Sequence, residues 1–509
     1  MKSQSRQPRR ANAAAPPRAP RGAGSGAGPV GRAAPGAAAP APIRLRVYRQ
    51  LRQAIEQGAL RPGARLPPSR EQALALGVSR NTVLWALQRL QAEGYVVARV
   101  GHGTRVAPDV PAAPPRATRQ VLPLPRLSRR GALIADTAQR WQPPLAAALP
   151  FRIGAPDVGS FPFTLWDRLM RQIDPAERRS LAQYLDPAGL PVLRDAIAQW
   201  LWASRGVRCD AAQVLVCAGS QQALDLVGRL LLDPGDEVMV EDPGYPGIRA
   251  GLAGHGAVVR PVPVDAEGLD VGGGAACWPR ARLLVTTPTH QFPTGVRMSL
   301  RRRVALLDWA RAQDGWVVED DYDGEFQYGA HRIPALTSLP GAERVLYVGT
   351  FSKTLHPGLR LGFIVLPHAL VPAFAAARAL ADRHAPGDVQ AVLARFIAEG
   401  HLLRHLNRMR ELYPRRQALL IEALADATDG AVRLAPSDHG MHLLLRAPDG
   451  HDDRALADRA GQRGVLLAPL SRYALESRST GWLFGYAGYD EPVLRQSVAR
   501  LAPLLRERG

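Results

Sequence analysis

The sequence predicts a multidomain protein in which an N-terminal winged helix-turn-helix precedes a larger α/β domain. Three observations predict this fold class. Residues 1–145 carry 24 Lys and Arg against five acids, whereas the other 364 residues carry 41 against 40. Within that basic region, three helical patterns and a hairpin pattern follow one another in a short span. Beyond about residue 150, short apolar runs alternate with helical patterns, as in a mostly parallel sheet covered by helices.

The uneven charge indicates a nucleic-acid-binding front attached to a near-neutral globular body. Three cysteines, Cys209, Cys217 and Cys277, form no CxxC pair, so the sequence predicts neither a disulfide framework nor a metal site. The longest apolar stretch, 361–377, contains two prolines and a histidine. No apolar segment follows the basic amino terminus. We therefore expect a cytoplasmic protein without a membrane partner.

Two segments of low complexity flank the front domain. The first contains almost only Ala, Gly, Pro, Arg and Ser, and the second is rich in Pro and Arg. Neither composition favours a packed core, so both are interpreted as spacers, although both could also contact DNA phosphates. The predicted division is a disordered basic arm at 1–40, a DNA-binding domain at 41–107, a partly extended linker at 108–146 and an α/β domain at 147–509.

The front domain begins with a helix, because apolar residues recur at helical spacing from Ile43 to Ile55 and Gly58 follows. Ser69 is the predicted N-cap of a second helix that ends at Leu76. Gly77 is predicted to be the left-handed turn residue. A third helix should then run from about Ser79 to Glu93, and 95–100 with 104–106 should pair as a β-hairpin. This order predicts a winged helix-turn-helix.

In that fold the helix after the turn enters the major groove with its first residues against the base edges. Arg80 can bind guanine and Asn81 adenine, while the hydroxyls of Ser79 and Thr82 can reach phosphates. The alternative is that Arg80, with Arg70 on the preceding helix, only solvates a helical face.

The segment 66–83 closely resembles the GntR-type winged-helix family, and the resemblance extends over Pro42–Val106. Many members carry a base-reading arginine where this chain has Leu84, which leaves the set of base contacts open. The resemblance implies DNA contacts from Arg70, Arg80, Asn81 and Thr82, with His102 at the tip of the wing.

In the α/β domain the apolar runs predict seven strands, at 213–217, 237–240, 258–261, 283–286, 316–318, 345–348 and 362–366. Polar residues follow several of them, at the sheet edge where ligands bind in α/β proteins. One strand ends in Asp320, Asp321 and Tyr322, and another leads into Lys353, one of two lysines in the chain. The stretch 219–222 opens a helix whose N–H groups could hold a phosphate. A lysine for a Schiff base, a carboxylate for a pyridine nitrogen and a phosphate cup are what pyridoxal 5'-phosphate requires.

The region 181–353 resembles the fold-type-I aminotransferases, and behind a GntR-type domain it is similar to the MocR/GabR family of transcriptional regulators. Four motifs carry the resemblance, namely Tyr184–Gly189, Glu241–Tyr245, Phe292–Gly295 and Thr350–Lys353. The resemblance implies that Lys353 forms the Schiff base, that Asp320 pairs with the pyridinium nitrogen and that Tyr322 bonds the ring 3'-oxygen. Asp321 remains the alternative to Asp320. The implied phosphate ligands are Ser220, Gln221, Thr350, Ser352 and Arg360, and Tyr245 would lie near the ring or the effector.

Two departures favour ligand sensing over turnover. Phe292 stands where aminotransferases carry an asparagine, and 481–485 lacks the arginine that binds the substrate carboxylate. Arg472 is a possible substitute for that effector contact. His290 and Gln291 are interpreted as loop residues without a role. For Arg360, a structural ion pair is the alternative to a phosphate contact.

The leading hypothesis is a regulator that binds an operator in double-stranded DNA and responds to an amine, an amino acid or a vitamin-B6 form. The resemblance implies a homodimer, head to tail with exchanged DNA-binding domains. One alternative is an active aminotransferase with a DNA-binding appendage. Another is a DNA-binding scaffold without a cofactor.

Overall fold

The computed structural model describes residues 42–99, 102–110, 126–141, 149–329, 333–448 and 451–506. The chain divides into two compact units, residues 1–125 and 126–509. The predicted arm at 1–40 lies outside the described residues. Among the described residues, no helix is long and apolar enough to cross a membrane.

The first unit is the predicted winged helix-turn-helix. Its elements are α1 (Ile43–Glu56), α2 (Ser69–Leu76), α3 (Arg80–Ala92), β1 (Val96–Arg99) and β2 (Gly103–Val106). Gly77 has φ +63°, the left-handed conformation expected of the turn. The strands pair antiparallel with Val96 opposite Val106, and Val83 and Leu90 are fully buried beneath them and α1. These predictions are confirmed.

The predicted N-cap of α2 is wrong by one position. Pro68 is the N-cap and makes no side-chain cap hydrogen bond, while Ser69 already has helical geometry. Its hydroxyl is therefore displaced from the amides that an N-cap side chain reaches, and it accepts a bond from Arg80 Nε at 3.2 Å instead. Ser79, in contrast, caps α3 by accepting from the Thr82 amide at 3.2 Å.

The second unit is built on an eight-stranded sheet in the order β3-β10-β9-β8-β7-β4-β5-β6. The strands from β9 to β5 are parallel, and β10 runs antiparallel to both of its neighbours. All seven predicted strands are confirmed. The bounds are β3 (Val214–Cys217), β4 (Glu237–Asp242), β5 (Val258–Asp265), β6 (Gly268–Leu269), β7 (Leu283–Thr286), β8 (Trp316–Asp320), β9 (Val345–Thr350) and β10 (Gly362–Val365).

Helices cover both faces of this sheet, and a second sheet, β11-β13-β12, lies in the carboxyl-terminal part. Its strands are β11 (His442–Ala447), β12 (Ala468–Pro469) and β13 (Thr480–Gly485). The helices are α4 (Arg129–Trp141), α5 (Phe163–Arg171), α6 (Pro175–Leu181), α7 (Pro191–Arg205), α8 (Ser220–Leu231), α9 (Pro246–Gly254), α10 (Val271–Cys277), α11 (Leu300–Ala312), α12 (Phe351–Thr354), α13 (Val371–Ala381), α14 (Gly387–Ala398), α15 (His401–Ala427), α16 (Asp453–Gln462) and α17 (Glu491–Arg506).

Helix α4 lies inside the segment predicted to be a partly extended linker, 108–146, so that prediction fails over its length. The helix packs on α9, where a Cβ added to Gly254 would lie 3.3 Å from the Ile134 side chain. Arg130 Nη2 lies 2.7 Å from His255 Nδ1. Because tertiary packing of an apolar face, rather than composition, stabilises such a helix, the Pro/Arg-rich sequence did not reveal it. The rest of the predicted linker lies mostly outside the described residues.

Candidate functional site

The internal lysine lies where a parallel strand ends. Lys353 is in α12, directly after β9, and its Nζ donates to the Gly154 carbonyl at 2.9 Å. Gly154 has φ +65°, which favours glycine, and a Cβ there would lie 2.7 Å from Nζ and displace the amine. Burial lowers the pKa of Lys353, and the carboxylates of Asp323 and Asp320 act in the opposite direction. A lowered pKa favours the neutral amine, which is the nucleophilic form.

The two adjacent aspartates at the end of β8 have different surroundings. Asp321 Oδ2 accepts from Arg205 Nε and from the Tyr347 hydroxyl, both at 2.7 Å. Asp320 Oδ1 is buried without a hydrogen-bond partner among the described residues. Burial, followed by the charges of Asp321 and Glu241, raises the pKa of Asp320 to about 7. Asp321 is thus paired with Arg205, whereas Asp320 is available to pair with a buried cation.

Three predicted phosphate ligands surround Gly362. This glycine is opposite Thr350 on one side and Cys217 on the other, because β10 lies between β9 and β3. Gly219, with φ +114°, precedes Ser220 at the start of α8. A Cβ at Gly219 would lie 3.9 Å from Arg360 Nη1. The result is a cradle of a helix start, hydroxyls and a guanidinium, which is the donor set that a phosphate requires.

The remaining predicted phosphate ligands differ in their contacts. The amide of Ser352 donates to the Thr350 hydroxyl at 3.1 Å, so both lie at the start of α12. The side-chain Nε2 of Gln221, in contrast, donates to the Gly247 carbonyl at 3.0 Å, and its Oε1 is buried without a partner in the described part of the chain. The Gln221 side chain therefore reaches α9.

An aromatic wall occupies the position where aminotransferases carry an asparagine. Phe292 meets four rings edge to face, with centroid distances of 5.6 Å to Tyr245, 5.9 Å to Tyr322, 5.8 Å to His442 and 5.2 Å to Tyr473. Tyr245 is the N-cap of α9, and burial raises its pKa to about 12. The neutral phenol presents an apolar ring to the site.

Hydrogen bonds to the buried carboxylate of Glu241 anchor the loop that carries Phe292. Glu241 accepts from the hydroxyls of Thr286 and Thr287, each at 2.6 Å, and from Gln291 Nε2 at 3.1 Å. Burial raises the pKa of Glu241. Gln291 is thus buried and stabilises the loop, whereas the sequence predicted no role for it.

His290, also predicted to have no role, is buried at 3% exposure and contacts two functional-looking side chains. Its Nδ1 lies 2.8 Å from Asp323 Oδ2 and 2.9 Å from the Tyr322 hydroxyl. Two further buried histidines, His439 and His442, lie beside its ring. Among the described residues, no group of three or more His, Cys, Asp or Glu side chains is placed to hold a metal ion.

Arg472, the suggested effector contact, lies in a loop that is anchored through its backbone. Its carbonyl accepts from Arg249 Nη2 at 3.1 Å, and the Tyr473 carbonyl accepts from Nη1 at 3.3 Å. The carboxylate of Asp242 accepts three amides from the same loop. Because Tyr473 meets Phe292, this loop borders the aromatic wall and Arg472 is at its edge.

The predicted DNA contacts lie on one small domain, and most are exposed. Arg80 and Asn81 form the exposed first turn of α3, and Ser79 precedes them. Thr82 is half-buried, with its hydroxyl 2.9 Å from that of Ser79. The other two predicted contacts, Arg70 on α2 and His102 in the hairpin turn, are also exposed.

Sequence reasoning missed Arg205, Asp323 and the histidines around them. Arg205 and Asp321 are 116 positions apart in the chain, and nothing local to either one indicates their pairing. For His290 a signal existed, since it lies between the end of β7 and the Phe292–Gly295 motif. A buried imidazole beside a carboxylate was not foreseen.

Comparisons with known proteins agree with this two-part architecture. A family model described as bacterial regulatory proteins, gntR family, matches residues 43–106, and one described as aminotransferase class I and II matches residues 150–501. The probable rhizopine catabolism regulatory protein MocR of Rhizobium meliloti is 38% identical over 464 residues, which are 90% of this chain and 93% of that protein. The HTH-type transcriptional regulator TauR of Rhodobacter capsulatus is 34% identical, with 91% and 96% covered.

Among solved structures, the α-aminoadipate aminotransferase LysN of Thermus thermophilus, complexed with N-(5'-phosphopyridoxyl)-L-leucine, matches with a TM-score of 0.66. It is 30% identical, and the match covers 73% of this chain and 97% of that one. The predicted fold type is confirmed. Because one family model covers more than half of the chain and regulators above 30% identity align with both domains, the chain belongs to the aminotransferase class I and II family, as a MocR-type transcriptional regulator with a gntR-family DNA-binding domain.

Proposed function

We propose that this regulator holds pyridoxal 5'-phosphate on Lys353 and uses it to sense a small amine, an amino acid or a vitamin-B6 form. The observation that carries the proposal is the partnerless Asp320 carboxylate oxygen, buried in the same site as a lysine of lowered pKa. A buried carboxylate without a partner is costly unless a cation or donor pairs with it. A protonated pyridine nitrogen is such a partner. The bound cofactor supplies an electrophilic carbon that captures an amine.

Each side chain around Lys353 then has a separate task. Asp320 keeps the pyridine nitrogen protonated, and Tyr322 donates to the ring oxygen. The cradle around Gly362 holds the phosphate through Ser220, Thr350, Ser352 and Arg360, and Gln221 links the start of α8 to α9. Tyr245 and the aromatic wall cover the ring and exclude water. Arg472, at the edge of that wall, contacts the effector.

Sensing rather than turnover is supported by the aromatic wall at Phe292 and by the absence of arginine from β13. Productive transamination requires groups that hold substrate and cofactor in register for repeated proton transfers. A site that captures an amine and keeps it can instead change the protein's conformational equilibrium by its differential affinity for two states.

For DNA binding, we propose that Arg80 and Asn81 contact bases. Contacts to the DNA backbone are assigned to Arg70, Ser79, Thr82 and His102. Helix-turn-helix proteins read two half-sites, so we propose a homodimer with its DNA-binding domains exchanged head to tail. Effector binding would change the spacing of these heads and hence the affinity for the operator. A DNA-bound regulator of this kind works in the cytoplasm.

The test begins with the absorbance of the full-length protein after incubation with pyridoxal phosphate. We expect a visible band that is absent from Lys353→Ala and from Lys353→Arg, which keeps the charge but cannot form the linkage. Candidate amines, amino acids and B6 forms should then change the band and the affinity for a duplex selected from a random library. Lack of a band would refute cofactor binding, and sustained keto-acid production would favour an active aminotransferase.

A further inference from the structure

The site contains a histidine–aspartate pair for which the proposed function has no task. His290 Nδ1 lies 2.8 Å from Asp323 Oδ2 and 2.9 Å from the Tyr322 hydroxyl. The rings of His290 and Tyr322 are stacked, with their centroids 5.8 Å apart. Tyr322 is the side chain that would donate to the ring oxygen of the cofactor. The pair therefore lies directly behind a functional hydroxyl.

The position of this imidazole is closely defined. His290 is 3% exposed and Asp323 is 2% exposed. A Cβ at Gly440, whose φ is +81°, would overlap the His290 ring, and a Cβ at Gly295 would lie 3.4 Å from Nε2. Two glycines from different loops thus leave room for the ring and confine it. Such confinement is typical of a side chain whose orientation matters.

The Nδ1 atom of His290 can form a hydrogen bond with either Asp323 or Tyr322. Burial lowers the pKa of His290 well below its ordinary value, so the ring is neutral and Nδ1 either carries a proton or accepts one. When Nδ1 is engaged by Asp323, it cannot accept the phenol proton of Tyr322. When Asp323 does not engage it, Nδ1 can accept that proton. The carboxyl group engages Nδ1 in either of its own protonation states, by accepting as a carboxylate or donating as an acid.

We propose that Asp323 and His290 are positioning residues that keep the phenol proton of Tyr322 directed to the ring oxygen of the cofactor. The proposal rests on the proposed function, since it requires the cofactor to be present. In this chain Phe292 replaces the asparagine that would otherwise polarise that oxygen. Tyr322 is then the donor that remains, and the direction of its proton becomes decisive. An aspartate that fixes the tautomer of a histidine is a known device for directing a proton.

Other charges surround the pair and could act on the same protons. They are His439, His442, Arg297, Asp438, Asp321, Asp320, Glu241 and Lys353. Asp438 is useful among them because it forms a second aspartate–histidine pair. Its Oδ1 lies 2.6 Å from His439 Nδ1. It therefore provides a matched control for the loss of a carboxylate from this cluster.

The test is the pH midpoint of the visible band of the cofactor-loaded protein. A hydrogen bond donated to the ring oxygen stabilises the form in which the nitrogen that joins Lys353 to the cofactor has lost its proton. Loss of that hydrogen bond therefore raises the pH midpoint of the band. We expect Tyr322→Phe and Asp323→Leu each to raise it by about one pH unit, the size of one hydrogen bond. Asp323→Asn keeps a partner for Nδ1, so its midpoint should lie about one pH unit below that of Asp323→Leu. Asp438→Leu should not raise the midpoint, and in the Tyr322→Phe background Asp323→Leu should produce no further rise.

The two Asp323 variants separate proton placement from charge. Both remove the same negative charge, and loss of that charge alone would lower the midpoint equally in both. Equal shifts for Asn and Leu, or no rise for Leu, would overturn the inference while leaving cofactor binding intact. If Asp323→Leu does not fold, Asp323→Ala removes the same partner and should raise the midpoint. Absence of the band from the wild-type protein would overturn both this inference and the proposed function.

Discussion

The two units of this protein differ in whether they bury charged side chains. In the first unit, charges lie at the surface, where the Arg52–Glu56 pair is 41% and 36% exposed. In the second, the Arg205–Asp321 pair is 1% and 0% exposed. Exposed charges contribute little to folding and remain available to a polyanion such as DNA. Buried charges must find a partner inside the protein, and Asp320 has an oxygen that found none among the described residues.

The two units therefore differ in how strongly their stability depends on a bound ligand. The first unit has a complete core without DNA, because its buried residues are almost all apolar. The second unit contains a carboxylate whose neutralisation requires a proton or a cation. Ligand binding should therefore affect the stability of the second unit more strongly than that of the first.

The largest expected effect comes from removing the buried arginine. Arg205→Met leaves Asp321 as an uncompensated buried charge and should lower the free energy of unfolding by about 3–5 kcal/mol. Chemical denaturation of the full-length protein measures it. The double variant Arg205→Met/Asp321→Leu should recover most of the loss. A single variant as stable as the wild type would contradict the contrast between the two units.

A smaller effect is expected from Asp320→Asn, and it depends on pH. The pKa of Asp320 is raised from 3.8 to about 7, so between those values the folded state holds a proton that the unfolded chain has lost. The contribution of Asp320 to the free energy of unfolding therefore falls as pH rises from about 4 to 7 and levels off above 7. Asn removes this contribution, while Asp323, Glu319 and Glu325, whose pKa values are also raised by burial, keep theirs. Without cofactor the variant should therefore be more stable than the wild type at pH 8 by roughly 2–4 kcal/mol.

The control for Asp320 is Asp308→Asn, which changes an exposed carboxylate on α11. It should leave the pH dependence of unfolding unchanged. Asp320→Asn should also weaken pyridoxal phosphate binding, so that one substitution stabilises the empty protein and disables the loaded one. A variant with the wild-type pH profile would mean that Asp320 is already paired.

In the first unit the effect should be on binding. Arg80→Ala should weaken operator binding by about ten- to a hundredfold and leave binding to random DNA nearly unchanged. Fluorescence anisotropy on a selected and a scrambled duplex measures both. Arg89, in the last turn of α3, is the matched control because it pairs with Glu93. Equal losses on the two duplexes would indicate that Arg80 contacts only phosphate.

The smallest effect is expected at an exposed pair. Glu56 accepts from Arg52 at 2.7 Å and from the Tyr95 hydroxyl at 2.9 Å. Because the Arg52 and Glu56 side chains are half-exposed, water screens their pairing, and Glu56→Gln should change the free energy of unfolding by less than about 1 kcal/mol. Hydrogen exchange of the α1 amides detects the change. A loss as large as that for Arg205→Met would remove the distinction between the units.

The predictable parts of this molecule were those determined by local sequence. Strand positions followed from apolar runs, and Gly77 from its place between two helices. Lys353 stood out because arginine replaces lysine almost everywhere else in the chain. The sequence also favoured Asp320 over Asp321, but it offered no reason for the difference.

The unpredictable parts depend on contacts between distant segments. Arg205 pairs with Asp321, which is 116 positions away in the sequence. His442 lies within hydrogen-bonding distance of the Pro293 carbonyl, which is 149 positions away. Helix α4 was missed because its stability comes from packing on α9. The N-cap of α2 was missed because a choice between neighbouring positions depends on backbone geometry. Pair geometry and tertiary packing leave no periodic signal in a single sequence.

The scarcity of lysine around Lys353 in α12 has a practical consequence for peptide mapping. With lysine at positions 2 and 353 only, a lysine-specific protease acting on the unfolded chain has one cleavage point far from the amino terminus, at the proposed cofactor attachment site. Borohydride reduction of the loaded protein makes that attachment permanent and should block the cut. The ratio of intact chain to two large fragments would then report the fraction of molecules carrying cofactor.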